Sequence, residues 1–163
     1  LILPRMKWSR GDPRWFGMLA RGLDFWNHIP WLNSGNKSLD RESYIAGFRL
    51  LADRCDPNVQ GGFSRCALHE VAAARAHVSD DEVVALATCL LDAGAGTELR
   101  DALFASTPLG WACRWGRYAL VELLLHRGAN PAESDAEPWA RPLAWAEKKG
   151  HDSIARLLRQ HGA

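Results

Sequence analysis

The chain has 163 residues, 47% of them hydrophobic, and sets 20 Lys and Arg against 19 Asp and Glu for a formal net charge of +1. That is the size of one ordinary domain with ample apolar material for a core. It lacks the basic excess of a protein that grips a phosphate backbone, so nucleic acid is not an expected partner.

No apolar run approaches the roughly 20 residues that span a bilayer. The opening LILPRMKW is too short, and too soon interrupted by Pro4, for a secretory leader. Four scattered cysteines, Cys55, Cys66, Cys89 and Cys113, lack the paired spacing of a disulfide framework. A soluble protein of the reducing cytoplasm fits these features.

The first predicted element is a helix opened by Asp12 as N-cap with Pro13 at its first position, running through RWFGMLARGLDFW. NHIPWLNSG, residues 27–35, is the candidate first helix of the repeat whose second helix follows at Tyr44. YIAGFRLLADRCDPN, from Tyr44, then reads as a helix with an Asp-Pro-Asn ending.

CALHEVAAA, from Cys66, and ALATCLLDAGAG, from Ala85, predict a helix pair. Ser79 to Glu82 forms a Ser-x-x-Glu capping box that starts the second member after an inserted loop. TPLGWACRWGR, residues 107–117, and YALVELLLHRGANP, from Tyr118, predict the next pair. The phrase returns 34 positions later as RPLAWAEKKGH and is followed by DSIARLLRQHGA. In the last helices Leu120, Val121, Leu124 and Leu125, and again Ile154, Leu157 and Leu158, form one apolar stripe each. Gly128 and Gly162 stand where a left-handed residue ends a helix.

Thr107-Pro108-Leu109, Ala112, Gly116, the VELLL run and Gly128-Ala129-Asn130-Pro131 closely resemble the ankyrin repeat, whose period is ~33 residues. Pro142-Leu143, Ala146, Gly150-His151, IARLL and Gly162-Ala163 resemble it nearly as well, with Arg141 where Thr is usual, and Leu68-His69 and Ala72 keep the pattern. The wording is also similar to a group of bacterial ankyrin-repeat proteins.

The resemblance implies an all-α solenoid of stacked helix-turn-helix units with short β-hairpin fingers. Residues 1–37 would be an aromatic-rich degenerate or partial repeat. Residues 38–58 would be the second half of a repeat, 59–96 a repeat with an inserted loop, 97–131 a repeat, and 132–163 the C-terminal cap. Each pair bares an apolar face that only its neighbour covers, so shared letters encode stacking and varied letters are free to meet a partner.

In such a stack Arg114, Trp115, Lys148 and Lys149 occupy slots that face the concave groove, and Glu133, Asp135 and Trp139 sit on a finger. These seven are the candidate partner-binding residues. Trp111 and Trp145 share a slot that is usually packed between repeats, and His69 and His151 hold motif positions that tie turns together. His126 and His161 suit the C-terminal dipole of their helices. The cysteines read as core thiols.

No closely paired ligands suggest zinc, no cofactor is expected, and no phosphate loop, nucleophile elbow or glycine-rich fingerprint is present. The expected function is non-enzymatic, a protein interaction module binding through groove and fingers. The alternative is a regulatory or substrate-recruiting segment of a larger enzyme whose catalytic part lies elsewhere. The chain opens on Leu1 within an unmatched stretch. Trp8, Trp15, Phe16, Phe25, Trp26 and Trp31 would either fold back as an unusual cap over the helix at Tyr44 to Asp53 or, the favoured expectation, belong to a fragment lacking upstream repeats and be exposed for association.

Overall fold

The structure is a computed structural model that describes the backbone of residues 8–27, 41–74 and 78–163, and the side chains of the same residues except 21–27. Among these residues it is wholly helical, with α1 (Arg14–Asn27), α2 (Arg41–Ala52), α3 (Ala67–Ala72), α4 (Asp80–Asp92), α5 (Pro108–Trp115), α6 (Tyr118–His126), α7 (Pro142–Lys149) and α8 (Asp152–Gln160).

The helices pack as two rows. α1, α3, α5 and α7 stack one on the next, α2, α4, α6 and α8 form the second row, and each helix also packs on its partner within the pair. One continuous core runs between the rows, from Trp15 and Leu19 through Leu68, Leu90, Leu109 and Leu124 to Ile154 and Leu158.

The predicted punctuation governs these elements. Thr107 accepts a hydrogen bond from the Gly110 amide at 3.2 Å and Pro108 fills the first turn, so α5 begins cleanly. Ser79 and Glu82 satisfy each other's amides at 2.7 and 3.3 Å, which starts α4 after the longer connection, part of which (75–77) lies outside the described residues. Gly94, Gly128 and Gly162 end α4, α6 and α8 in the left-handed region.

Asp12 accepts from the Arg14 amide at 3.0 Å and from its guanidinium, and Arg14 holds the Asp12 carboxyl down at about 2. The first place in the first-helix row is taken by α1, which stacks on α3. The candidate helix at residues 27–35 lies, beyond Asn27, outside the described residues.

The N-terminal rings expected at the surface are drawn in where they are described. Trp15 is buried at 5% exposure and donates its indole N–H to the Ser9 carbonyl at 2.8 Å. Trp8 meets it edge-on at 5.2 Å, and Phe16 lies against Gly61. The side chains of Phe25, Trp26 and Trp31 lie outside the described residues.

The finger turns contain no strand among the described residues. They close by short bonds such as Gly61 N–H to Arg65 carbonyl at 2.9 Å and Asp101 N–H to Ser106 carbonyl at 3.1 Å. Phe63, Ser64, Ala105 and Glu133 take positive φ in them, and 3-10 turns form at Gly62–Ser64 and Pro138–Ala140.

Two glycines in the same conformation separate backbone strain from packing. Gly116 and Gly150 end α5 and α7 at φ 72° and 73°. A Cβ on Gly116 would lie 2.7 Å from the His151 ring, whereas one on Gly150 would meet nothing within 4 Å. Gly150→Ala is expected to cost about 1 kcal/mol, the left-handed penalty alone. Gly116→Ala should cost clearly more, and denaturant midpoints of the two variants measure the difference.

His69 joins two repeats with its ring nitrogens. Nδ1 accepts from the Cys66 amide at 3.1 Å, which leaves Nε2–H to donate to the Ser106 carbonyl at 3.1 Å. Burial pushes the imidazole below its ordinary value of 6.5, and a proton on Nδ1 would also oppose the Cys66 N–H. The unfolded chain therefore binds that proton more readily than the folded one. The stability His69 contributes is present above 6.5 and is lost as the pH falls through its lowered folded value. Melting temperature should drop on acidification below 6.5 with a steeper slope in the wild type than in His69→Gln.

Candidate partner-binding surface

The finger spanning Glu98 to Ser106 is organised by one buried carboxylate. Asp101, 3% exposed, accepts from the backbone amides of Leu103, Phe104 and Ser106 at 2.8, 2.9 and 3.0 Å and from the Trp111 indole at 3.0 Å. Burial opposes its ionisation, but the four donors outweigh it and hold the carboxyl below its ordinary value.

This turn sets the Phe104 ring between Trp111 and Trp145, at centroid distances of 5.4 and 5.6 Å. His69 meets the other side of Trp111 at 5.6 Å, and Trp139 meets Trp145 at 6.3 Å. A run of five rings thereby crosses three repeats on the side of the first helices and fingers, mostly in edge-to-face geometry. Trp111 and Trp145 are both 3% exposed, so their shared slot is core. Their indole N–H groups are spent on Asp101 and on the Ser106 hydroxyl, the latter at 2.8 Å.

Cations lie on these rings. The Arg114 guanidinium carbon is 4.2 Å from the Phe104 centroid, 4.5 Å from Trp145 and 5.6 Å from Trp115. The Lys148 ammonium is 5.4 Å from Trp145, and Arg65 lies 5.8 Å from Trp111. Trp115 is the exposed member, at 52%, and Trp139 is similarly open. Farther along the fingers Phe63 and Leu103 are exposed, and the Ala102 amide donates to the Phe63 carbonyl at 2.7 Å, so the two turns adjoin.

Of the seven residues singled out in the sequence, Arg114, Trp115, Lys148 and Trp139 come together around Phe104 and Trp145. Lys149 is exposed one residue beyond Lys148. Asp135 is exposed but engaged, 3.1 Å from Arg100.

Glu133 is not available to a partner, which corrects the reading of it as a finger contact. It is 1% exposed, accepts from the Thr107 hydroxyl at 2.5 Å and pairs with Arg100 at 2.8 Å. Burial raises its carboxyl above the ordinary range, with Thr107 and Arg100 pulling the other way. Its place is the joint between two repeats, not their surface. Phe104 and Arg65 were missed because ALFAS and GGFSR read as loop; an aromatic just ahead of each repeat start was the available signal.

Other reactive-looking groupings have no access. Cys66 Sγ lies 3.1 Å from His69 Nδ1, but both residues are at most 1% exposed, and burial raises the thiol. Among the described residues no three His, Cys, Asp or Glu side chains cluster as a metal site, and no helix is long and apolar enough to cross a membrane.

Removing the Glu133 carboxylate takes the acceptor from the buried Thr107 hydroxyl and leaves Arg100 only Asp135 and the Ala105 carbonyl. Glu133→Ala should cost about 2 to 3 kcal/mol, less than a fully buried pair because the Arg100 side chain is 27% exposed. Glu133→Gln keeps an acceptor for Thr107 and should cost less. Thermal unfolding of the two variants side by side checks the order.

The family model for ankyrin repeats (three copies) matches residues 42–135, more than half of the chain. A comparison with curated proteins returned no match. The matched stretch runs from α2 to the finger beyond α6, and the α7–α8 pair that follows repeats the same proline start, left-handed glycine turn and glycine stop. Helix pairs, caps, stacking order and sequence match agree, and the chain belongs to the ankyrin-repeat family.

Proposed function

We propose that this chain is a protein-protein interaction module whose partner lies along the concave groove formed by α5, α7 and the finger turns. Ankyrin repeats are in general such modules. The observation that carries the reading here is Trp115, a large ring 52% exposed in a stack that buries the tryptophans of its framework. It sits beside a half-buried arginine, and aromatic and arginine anchors in partly desolvated settings supply most of the energy at protein interfaces. Lys148 and Lys149 extend the positive side of the groove, and exposed Trp139, Leu103 and Phe63 supply apolar contact on the fingers. The four cysteines are free and buried, which supports a reducing setting such as the cytoplasm.

Trp115→Ala is expected to weaken the complex with a protein partner by about 2 kcal/mol, the threshold of a hot spot, while leaving the melting temperature near that of the parent. Lys148→Glu and Lys149→Glu should act on association rate and salt dependence more than on dissociation. Titration calorimetry and surface-based kinetics on a partner recovered with the intact chain read both effects. Unchanged binding in all three variants would move the site off the groove.

A further inference from the structure

Arg114 differs from every other half-buried arginine whose side chain is described. Apart from the exposed Arg54, each of the others donates to a backbone carbonyl or pairs with a carboxylate, as Arg117 donates to Val78 and Arg100 pairs with Glu133. Arg114 makes no hydrogen bond or ion pair among the described residues, and its Nε is buried with no acceptor. The side chain is half-buried, held over the faces of Phe104 and Trp145.

Ring faces stabilise the charge of a guanidinium but accept few of its five N–H donors. A partly dehydrated fork of this kind is left short of an acceptor, and the geometry that satisfies it best is a carboxylate. The acids of the neighbouring fingers and helices are engaged elsewhere, the exposed Glu137 excepted. Asp101 is filled by its four donors, Glu70 pairs with Arg65, Glu147 with Arg159, and Glu133 and Asp135 with Arg100. Lys148 and Lys149 lie exposed on the adjacent helix with no carboxylate partner among the described residues.

We infer that the segment bound in this groove is an acidic peptide, seating an Asp or Glu carboxylate on Arg114 and an apolar side chain on Trp115. This rests on the groove reading above and adds the chemistry of its occupant. Three cations on one face suit one or two carboxylates better than a nucleic-acid backbone, which a net charge of +1 does not favour.

The test pans a displayed library of random linear peptides against the intact chain, Arg114→Gln and Trp115→Ala, each variant first checked for native circular dichroism. The wild type should enrich Asp and Glu, and Arg114→Gln should lose that enrichment. A synthetic peptide from the wild-type pool should bind about tenfold more weakly when its acidic residue becomes Gln, and again about tenfold more weakly to Arg114→Gln. The two changes combined should cost little more than either alone. If Arg114→Gln does not fold, Arg114→Lys, which keeps the charge and loses the fork, carries the same comparison.

A pool without acidic enrichment, equal affinity for the Gln peptide, or displacement of the peptide by oligothymidine at lower concentration would overturn the inference. An apolar, neutral pool lost in Trp115→Ala would leave the groove standing and remove the carboxylate. Peptides indifferent to both variants, or no peptides at all, would remove both.

Discussion

A single hydroxyl and its own peptide carbonyl knit three successive repeats together at Ser106. The carbonyl accepts from His69 behind it; the hydroxyl accepts from the Trp145 indole ahead and lies 3.1 Å from the Ala140 carbonyl, to which it can donate. Ser106 is fully buried, so each of these groups would be without water if its partner moved. A net hydrogen bond is worth only about 1 kcal/mol, but an orphaned buried group costs more than that. The polar joints therefore fix the register in which the apolar faces meet. Glu133 with Thr107 and Arg100 does the same one joint farther on, and Asn58 clips Gly94 and Gly96 at 3.0 and 2.6 Å one joint earlier.

The aromatic run shares that dependence. Phe104 is held in place by a finger whose shape comes from Asp101, and Trp145 is positioned by Ser106. Their outer faces then carry Arg114. The proposed binding surface is thus the back of the joint between repeats. A nearest-neighbour stack of this kind has no separate layer for function, and the groove is as rigid as the packing beneath it.

How much of this could be read from the sequence follows from the range of each interaction. Helix starts at Ser79 and Thr107, the glycine stops and the apolar stripes of α6 and α8 depend on residues a few positions apart, and they were legible. The exposure of Trp115, Lys148 and Lys149 on α5 and α7 was legible too, since a repeat position implies a direction. Glu133 was not. An acidic residue in a polar loop reads as solvated, and its burial depends on Thr107 and Arg100, 26 and 33 positions away in the chain. The shape of the fingers was not legible for a related reason: it is set by side chains such as Asp101 bonding to backbone, which no local pattern reports.

The four cysteines are spread along the stack, following α2, capping α3, within α4 and within α5, all at 1% exposure or less, and α7 and α8 hold none. Burial drives the thiols above their ordinary value, Cys55 to about 11, so in the closed stack they are neutral as well as shielded. A soluble alkylating reagent can reach one only when the neighbouring pairs part. The rates at which the sites are modified would then record the order in which the molecule opens from its two ends. Fraying confined to the C-terminal pair would leave Cys55, Cys66 and Cys89 unmodified, and the chain could loosen there without becoming vulnerable to oxidation at those sites.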